Sequence, residues 1–222
     1  MGGTKASQYV DPSQLRLSDG VTLVRLARRA VEEYLRSGKV PELPEVEERL
    51  LAKGMTFTTI RKILGGNLVL RGCIGYLVPI EPLVRNVVTT ALAAAFEDPR
   101  FEPVSLEELN HLIFEVSVLS VPQDIKARGR ERAREVRVGQ DGLVVEYRVY
   151  KGVLLPEVPV EYCWDAETFL SETCIKAGLD PDCWLSDRVR VKKFVARVFR
   201  ELTPGGEVTE VNLVEEYSRR CL

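Results

Sequence analysis

The chain has 222 residues, enough for one large core or for a main domain with a smaller lobe. A hydrophobic fraction of 45%, a charged fraction of 29% and a formal net charge of −2 are ordinary for a folded protein and argue against a basic protein built to coat nucleic acid. No apolar run approaches the ~20 residues of a membrane span, and the N-terminal MGGTKASQYVDPS has neither a signal-peptide core nor a myristoylation pattern, so a cytosolic protein is expected.

Residues 1–17 read as a polar arm. Ser18 is placed to cap a helix to about Ser37, with Val21, Val24, Ala27, Val31, Tyr34 and Leu35 on one stripe and Gly38 as its stop. A short helix with Val46, Leu50 and Leu51 inward follows, closed by Gly54. Met55–Lys62, rich in threonine and β-branched residues, predicts a strand, Gly65-Gly66-Asn67 a hairpin turn, and Leu68–Tyr76 the returning strand. Glu81–Phe96 is strongly amphipathic, with Pro82 tolerable in its first turn, and Asp98-Pro99-Arg100-Phe101 breaks it. Ser105-Leu106-Glu107-Glu108 has capping-box spacing, and Leu112–Ser120 predicts a strand.

Residues 123–137 are the most polar stretch. Arg128, Arg130, Arg132, Arg134 and Arg137 stand among glutamates, which reads as a solvated or ion-paired surface rather than an RNA contact. Gln140-Asp141-Gly142 suggests a hairpin turn, Leu143–Tyr150 a strand, Gly152–Leu155 a further extended piece, and Pro156 with Pro159 a loop. Asp165 caps a helix to Ala177 with Gly178 as its stop, Asp180-Pro181-Asp182 opens a turn, and Lys192–Glu201 is a strand. From Pro204 onward only a weak amphipathic pattern in 211–217 is visible, so 203–222 reads as a tail and 18–202 as the folded body. Hairpins dominate and strands do not alternate with helices. The expected fold is therefore α+β, a mainly antiparallel sheet flanked by helices.

Five cysteines (Cys73, Cys163, Cys174, Cys183, Cys221), no C-x-x-C and a single histidine make a metal site unexpected. The absence of G-x-G-x-x-G and of a P-loop leaves no cofactor to expect. Thiols in a reducing cytosol are expected to be unbridged. An arginine- and glutamate-rich, asparagine-poor composition leans towards a thermophile, where one pair among Cys163, Cys174 and Cys183 could bridge.

The segment Leu70-Arg71-Gly72-Cys73-Ile74-Gly75-Tyr76 stands apart. Two glycines inside a strand weaken it, and such glycines mark a bulge or a place where something approaches the backbone closely. Between them sits a thiol, beside an arginine able to favour its thiolate.

L-R-G-C-I-G is the signature of the AMMECR-one family, and the resemblance runs in order over roughly residues 20–200. It includes Thr56-Phe57-Thr58-Thr59-Ile60, Asp98-Pro99-Arg100-Phe101, Glu115-Val116-Ser117-Val118-Leu119-Ser120, Gly152–Pro159, Trp164-Asp165 with Phe169-Leu170, and Cys174–Leu179. Where the family often has glutamine after Leu-Pro, this chain has Glu157. The resemblance implies an α+β protein with a larger and a smaller subdomain and the signature near the groove between them. It also implies roles suggested in transcription, translation or repair, and in prokaryotes the company of a Memo-like and a radical-SAM protein, which hints at a shared modification pathway. It implies no established reaction.

Two readings of each signature residue stay open. Cys73 is either a nucleophile or a small residue in a tight sheet. Arg71 either grips a carboxylate or phosphate, or makes a structural ion pair with Asp98 or Glu115. Gly72 and Gly75 either admit a ligand or make room for a packed helix. Glu115 and Ser117 share one strand face and could converge with Cys73 for acid–base work, or form a solvated outer face. His111, the only histidine, is expected near the surface. The candidates are thus Cys73 and Glu115 for catalysis and Arg71, Gly72, Gly75 and Ser117 for binding. The alternative is a non-catalytic module that binds a protein or RNA partner through the same groove.

Overall fold

The computed structural model describes residues 9–222. Of the polar arm expected over 1–17, residues 1–8 therefore lie outside the described residues. The rest of it forms a short 3-10 turn, Pro12–Gln14, capped by the Asp11 side chain.

Helix α1 spans Leu17–Ser37. Its cap is Arg16, not Ser18: the Arg16 N–H donates to Asp19 Oδ2 at 2.7 Å, and Asp19 is in turn gripped by Arg49. Gly38 ends the helix in the left-handed conformation. The expected short helix is a 3-10 turn, Glu48–Leu50. It buries Leu50 but leaves Leu51 outward, because only three residues are helical.

Strand β1 (Met55–Leu64) and strand β2 (Asn67–Gly75) form a hairpin across Gly65-Gly66. Both glycines have positive φ, as a two-residue hairpin turn demands. Helix α2 (Leu83–Phe96) begins after Pro82. A capping box at Ser105 and Glu108 opens a 3-10 helix, Leu106–His111, that leads into strand β3 (Leu112–Leu119).

Strand β4 (Gln123–Asp124) and helix α3 (Glu131–Arg134) occupy the polar stretch. Here Arg132 departs from expectation. It is buried and donates to the carbonyls of Ala127, Trp184, Ser186 and Val189, so it is an internal clamp and not a solvated charge. Arg128, Arg134 and Arg137 pair with Asp187, Glu131 and Asp141.

Strand β5 (Asp141–Tyr147) pairs with strand β6 (Tyr150–Leu154). The hairpin turn is therefore Arg148-Val149, inside the strand expected over Leu143–Tyr150. Arg148 takes a positive φ without glycine or asparagine to announce it. The expected loop at Pro156 and Pro159 is helix α4 (Glu157–Tyr162). Both prolines fall at its start, where the backbone N–H is not needed.

Helix α5 (Ala166–Lys176) is capped by Asp165. Strand β7 spans Arg190–Glu201, strand β8 Val208–Glu210, and helix α6 Leu213–Cys221. Residues 204–222 thus include both a strand and a helix.

The chain divides into two compact units. The first runs to Leu119 and takes back Arg197–Val211; the second is Ser120–Ala196 with Asn212–Leu222. In strand order, β2-β1-β3-β7-β5-β6, the long β7 gives residues to both units, β4 and β8 also pair with β7, and the pairings resolved by register are antiparallel. The first core packs α1 and α2 residues such as Leu23, Val24, Val84 and Val87 against Ile60, Phe114 and Phe199. The second packs α5 residues Phe169 and Leu170 against Leu143, Val145, Val191 and Trp184.

The expectation of unbridged cysteines is overturned. Cys163 bonds Cys221 and Cys174 bonds Cys183, both within the second unit, leaving Cys73 as the cysteine outside a disulfide.

Candidate functional site

The site is built on the β1–β2 hairpin of the first unit. Register pairs Ile60 with Gly72 and Arg61 with Leu70, so Arg71 is the extra residue of a β-bulge. Alternation then sends neighbouring residues to opposite faces.

On the inner face lie Thr56, Thr58, Ile60, Gly72 and Ile74. A Cβ on Gly72 would stand 2.1 Å from the Ala94 carbonyl oxygen, so α2 rests directly on the signature backbone. Glycine here makes room for a helix and not for a ligand. Beside it Thr56 and Thr58, both fully buried, satisfy their hydroxyls on Thr90 and Asn86 of α2.

The outer face carries the chemistry. Thr59 stands opposite Cys73 on one side and Glu115 on the other, and Phe57 stands between Gly75 and Ser117. The Thr59 hydroxyl donates to Cys73 Sγ at 3.3 Å. A Cβ on Gly75 would collide with the Phe57 ring at 2.2 Å, so this glycine seats an aromatic side chain. Glu115 is 1% exposed, accepts from Arg200 at 3.3 Å and has Arg61 at 3.9 Å. Its Oε1 accepts no hydrogen bond from the protein. Ser117 is fully buried. Glu115 and Ser117 are therefore not on a solvated face.

The Asp98-Pro99-Arg100-Phe101 turn holds Cys73 by its backbone. Asp98 Oδ2 accepts from the Cys73 N–H at 2.8 Å, and Arg100 donates to the Cys73 carbonyl at 3.3 Å. Since β2 lies at the sheet edge, these two side chains take the place of a neighbouring strand for one residue. Arg100 also grips Asp98 at 2.6 Å. That hydrogen bond, with the two backbone N–H groups donating to it, outweighs burial and brings the Asp98 carboxyl down to about 2. Asp98 in turn holds Arg100 above its ordinary value, with a smaller contribution from the Cys73 sulfur.

Arg71 does not pair with Asp98 or Glu115 as expected. Its Nε and one terminal nitrogen bond Glu108 at 3.2 and 3.0 Å, Lys62 bonds the same carboxylate, and Phe101 lies under the guanidinium. Led by the Arg71 bond, these interactions bring Glu108 down to about 2. Arg71 is thus committed to an ion pair made possible by the bulge that turns it out of the strand's alternation.

Of the candidate residues, Cys73, Gly75, Glu115 and Ser117 share one face, while Gly72 and Arg71 serve α2 and Glu108. His111 is exposed at the end of its 3-10 helix. The sequence reading missed Thr59, Arg61 and Arg200. The first two could have been found from the alternation Phe57-Thr59-Arg61, whereas Arg200 is 85 residues from Glu115 and left no signal. An open cleft of about 570 Å³ in the same unit, lined by Tyr9, Asp11, Gln14 and Arg49 among others, includes no signature residue.

The AMMECR1 family model matches residues 24–199. A Pyrococcus abyssi protein is 49% identical over 197 residues, covering 88% of this chain and 96% of its own. A Saccharolobus islandicus protein is 43% identical over 215 residues, covering 96% of this chain and 93% of its own. The crystal structure of an uncharacterized protein from Pyrococcus horikoshii superposes with a TM-score of 0.84 at 47% identity, covering 89% of this chain and 98% of that one.

Proposed function

The chain belongs to the AMMECR1 family, and from that premise we propose that the outer face of its signature hairpin is a thiol-centred working site of an intracellular protein. One observation carries the reading: the Cys73–Thr59–Glu115 row, with Arg61 and Arg200 on the same carboxylate, on the side of the sheet away from the first hydrophobic core. Taking ionised groups out of water costs several kcal/mol unless they are paired. Apolar residues would close the fold more simply. A carboxylate at 1% exposure with one oxygen lacking a hydrogen bond, in one cross-strand row with a partly exposed thiol and separated from it by Thr59, supports reading the row as a site for thiolate chemistry. In this reading Cys73 is the nucleophile, Glu115 is the charged member of the row on the strand beyond Thr59, and the Asp98–Arg100 clamp fixes the backbone that aims the thiol. A place in a modification pathway suits such a site.

An intracellular location is part of the same proposal and rests on the composition and the family resemblance. No helix among the described residues is long and apolar enough to cross a membrane. The two disulfides fit the intracellular proteins of hyperthermophilic archaea, where such bonds are common.

The test is the alkylation rate of Cys73 against pH, read by mass spectrometry, with Cys73→Ser as the blank. The other four cysteines are bridged, so the oxidised protein reports on one site. Rapid labelling with a midpoint well below the ordinary thiol value of about 8.5 is expected. Labelling that stays slow until the protein unfolds would make Cys73 a packing residue.

A second reading is favoured by one feature. Directly after Gly75, Tyr76, Val78 and Ile80 are 42%, 57% and 70% exposed. A module that binds a protein or RNA partner beside the signature would use these side chains, and its binding would survive Cys73→Ala.

A further inference from the structure

Thr59 is the residue of the row with no role in the reading above, and its geometry is specific. It lies in the middle of β1, 4% exposed, with Cys73 across one ladder and Glu115 across the other. A threonine hydroxyl has one proton to donate. Here it goes to sulfur, at 3.3 Å. Of the inner-face threonines of the same strand, Thr56 donates to Asn86 of α2, and Thr58 shares a hydrogen bond with Thr90 of that helix. Thr59 is thus the threonine of β1 seen to donate towards the signature thiol. A donor aimed at sulfur favours the thiolate over the thiol, because the anion is the stronger acceptor.

We propose that Thr59 is the positioning residue of the site: its hydroxyl orients Cys73 Sγ and stabilises the thiolate that reacts. The inference rests on the reading of Cys73 as a reactive thiol and assigns where that reactivity comes from. Asp98 and Arg100 from the turn hold the Cys73 backbone, Glu115 from β3 lies beyond Thr59 in the same row with Arg61 of β1 and Arg200 of β7 on its carboxylate, and Arg71 is tied to Glu108. Asp98–Arg100 and Arg71–Glu108 are pairs of opposite charge. Glu115 faces two arginines, Arg200 at 3.3 Å and Arg61 at 3.9 Å. A neutral donor that touches sulfur is therefore a separable contribution, and it can be removed without changing any charge.

The experiment compares the wild type with Thr59→Val, which keeps the shape and strand preference but has no hydroxyl, and with Thr59→Ser, which keeps the hydroxyl. Iodoacetamide is the probe. The S–C bond forms as the carbon–iodine bond breaks, iodide leaves with the electron pair, and the thiol proton goes to the buffer. Rates are measured across pH on the folded proteins and again in denaturant, where all three should agree.

Loss of one hydrogen bond to the anion should raise the midpoint of Thr59→Val by about one pH unit and slow it by about threefold at neutral pH, since the more basic thiolate is also the better nucleophile. Thr59→Ser should stay close to the wild type. A fast wild type with Thr59→Val equally fast and an unmoved midpoint overturns the role of Thr59 and leaves the thiol site standing. A wild type that labels slowly at every pH overturns the site, and the role of Thr59 with it. If Thr59→Val does not fold, Thr59→Ala against Thr59→Ser gives the same comparison.

Discussion

The first unit gathers Leu23, Val24, Val84, Val87, Phe114 and Phe199 into a broad core of two helices on the inner face of a sheet, and contains no disulfide. The second packs a smaller set around Phe169, Leu170 and Trp184 and contains both. A small core buries too little apolar surface to offset the entropy of its chain, and a crosslink helps by restricting the unfolded state. The first unit can therefore carry a polar outer face with Glu115 and two arginines, because its other face supplies the burial. In the second, even the internal cation Arg132 is spent on tying carbonyls of one loop together.

The contrast is broken most directly by reduction. Cys163 and Cys221 are 58 residues apart and Cys174 and Cys183 are 9 apart. Chain entropy assigns about 4 kcal/mol to the longer loop and about 3 to the shorter. Helix α6 has only Leu213 buried and nine residues, too few to be stable alone. Cys221→Ser should therefore free α6 first, seen as fast amide exchange over 213–221, while amides of β1 and β3 keep their protection. Equal loss of protection in both units would show that the first unit depends on the crosslinks too.

Gly72 sharpens the comparison from the other side. Its missing Cβ would stand 2.1 Å from a backbone oxygen of α2, which cannot move without the helix. Gly72→Ala should lower stability by about 1–3 kcal/mol, the range for overpacking a core. Cys73→Ala, one residue later on the opposite face, should cost under about 1 kcal/mol. Chemical denaturation of the two variants checks this. A large loss at Cys73 would mean that the thiol is there for packing.

Much of the first unit is legible in the sequence, and the reason is local. The Gly65-Gly66 turn, the amphipathic α2 and the Ser105–Glu108 capping box each declare themselves within a few residues. What escapes is non-local or unmarked. The Arg148-Val149 turn lacks the usual turn residues, and prolines in the first turn of α4 read as a loop. The Cys163–Cys221 bond joins segments separated by most of the second unit. At the site, alternation along β3 put Glu115 and Ser117 on one face, as found, but the bulge in β2 took Arg71 out of alternation and sent its guanidinium to Glu108. Asp98 bonds its own turn at the Arg100 N–H, as a turn residue can, yet its other oxygen holds Cys73, 25 residues away.

Acid tests the signature strand itself. Asp98 and Glu108 both hold the signature strand in the first unit, and both titrate at about 2, below their ordinary values of 3.8 and 4.5. A carboxyl whose folded value is depressed stabilises the fold fully above its ordinary value and loses that contribution as pH falls through the folded one. For Asp98 the window runs from about pH 4 down to 2, and for Glu108 from about 4.5 down to 2. At a worth of about 1.4 kcal/mol per tenfold change in proton affinity, the contribution is on the order of 2–3 kcal/mol for Asp98 and 3–4 kcal/mol for Glu108 at neutral pH. Because Asp98 holds the Cys73 N–H and Glu108 holds Arg71, protonation should loosen the β2 edge before the rest of the sheet. Amide exchange at Cys73 should accelerate as pH falls through this window, relative to amides inside β3. Asp98→Asn keeps an oxygen acceptor for the Cys73 N–H but loses the charge that holds Arg100, so it should flatten the Asp98 part of the acid dependence while leaving that of Glu108. If Asp98→Asn leaves the acid profile of Cys73 unchanged, the clamp is not what fixes the thiol, and the bulge and α2 hold it by themselves.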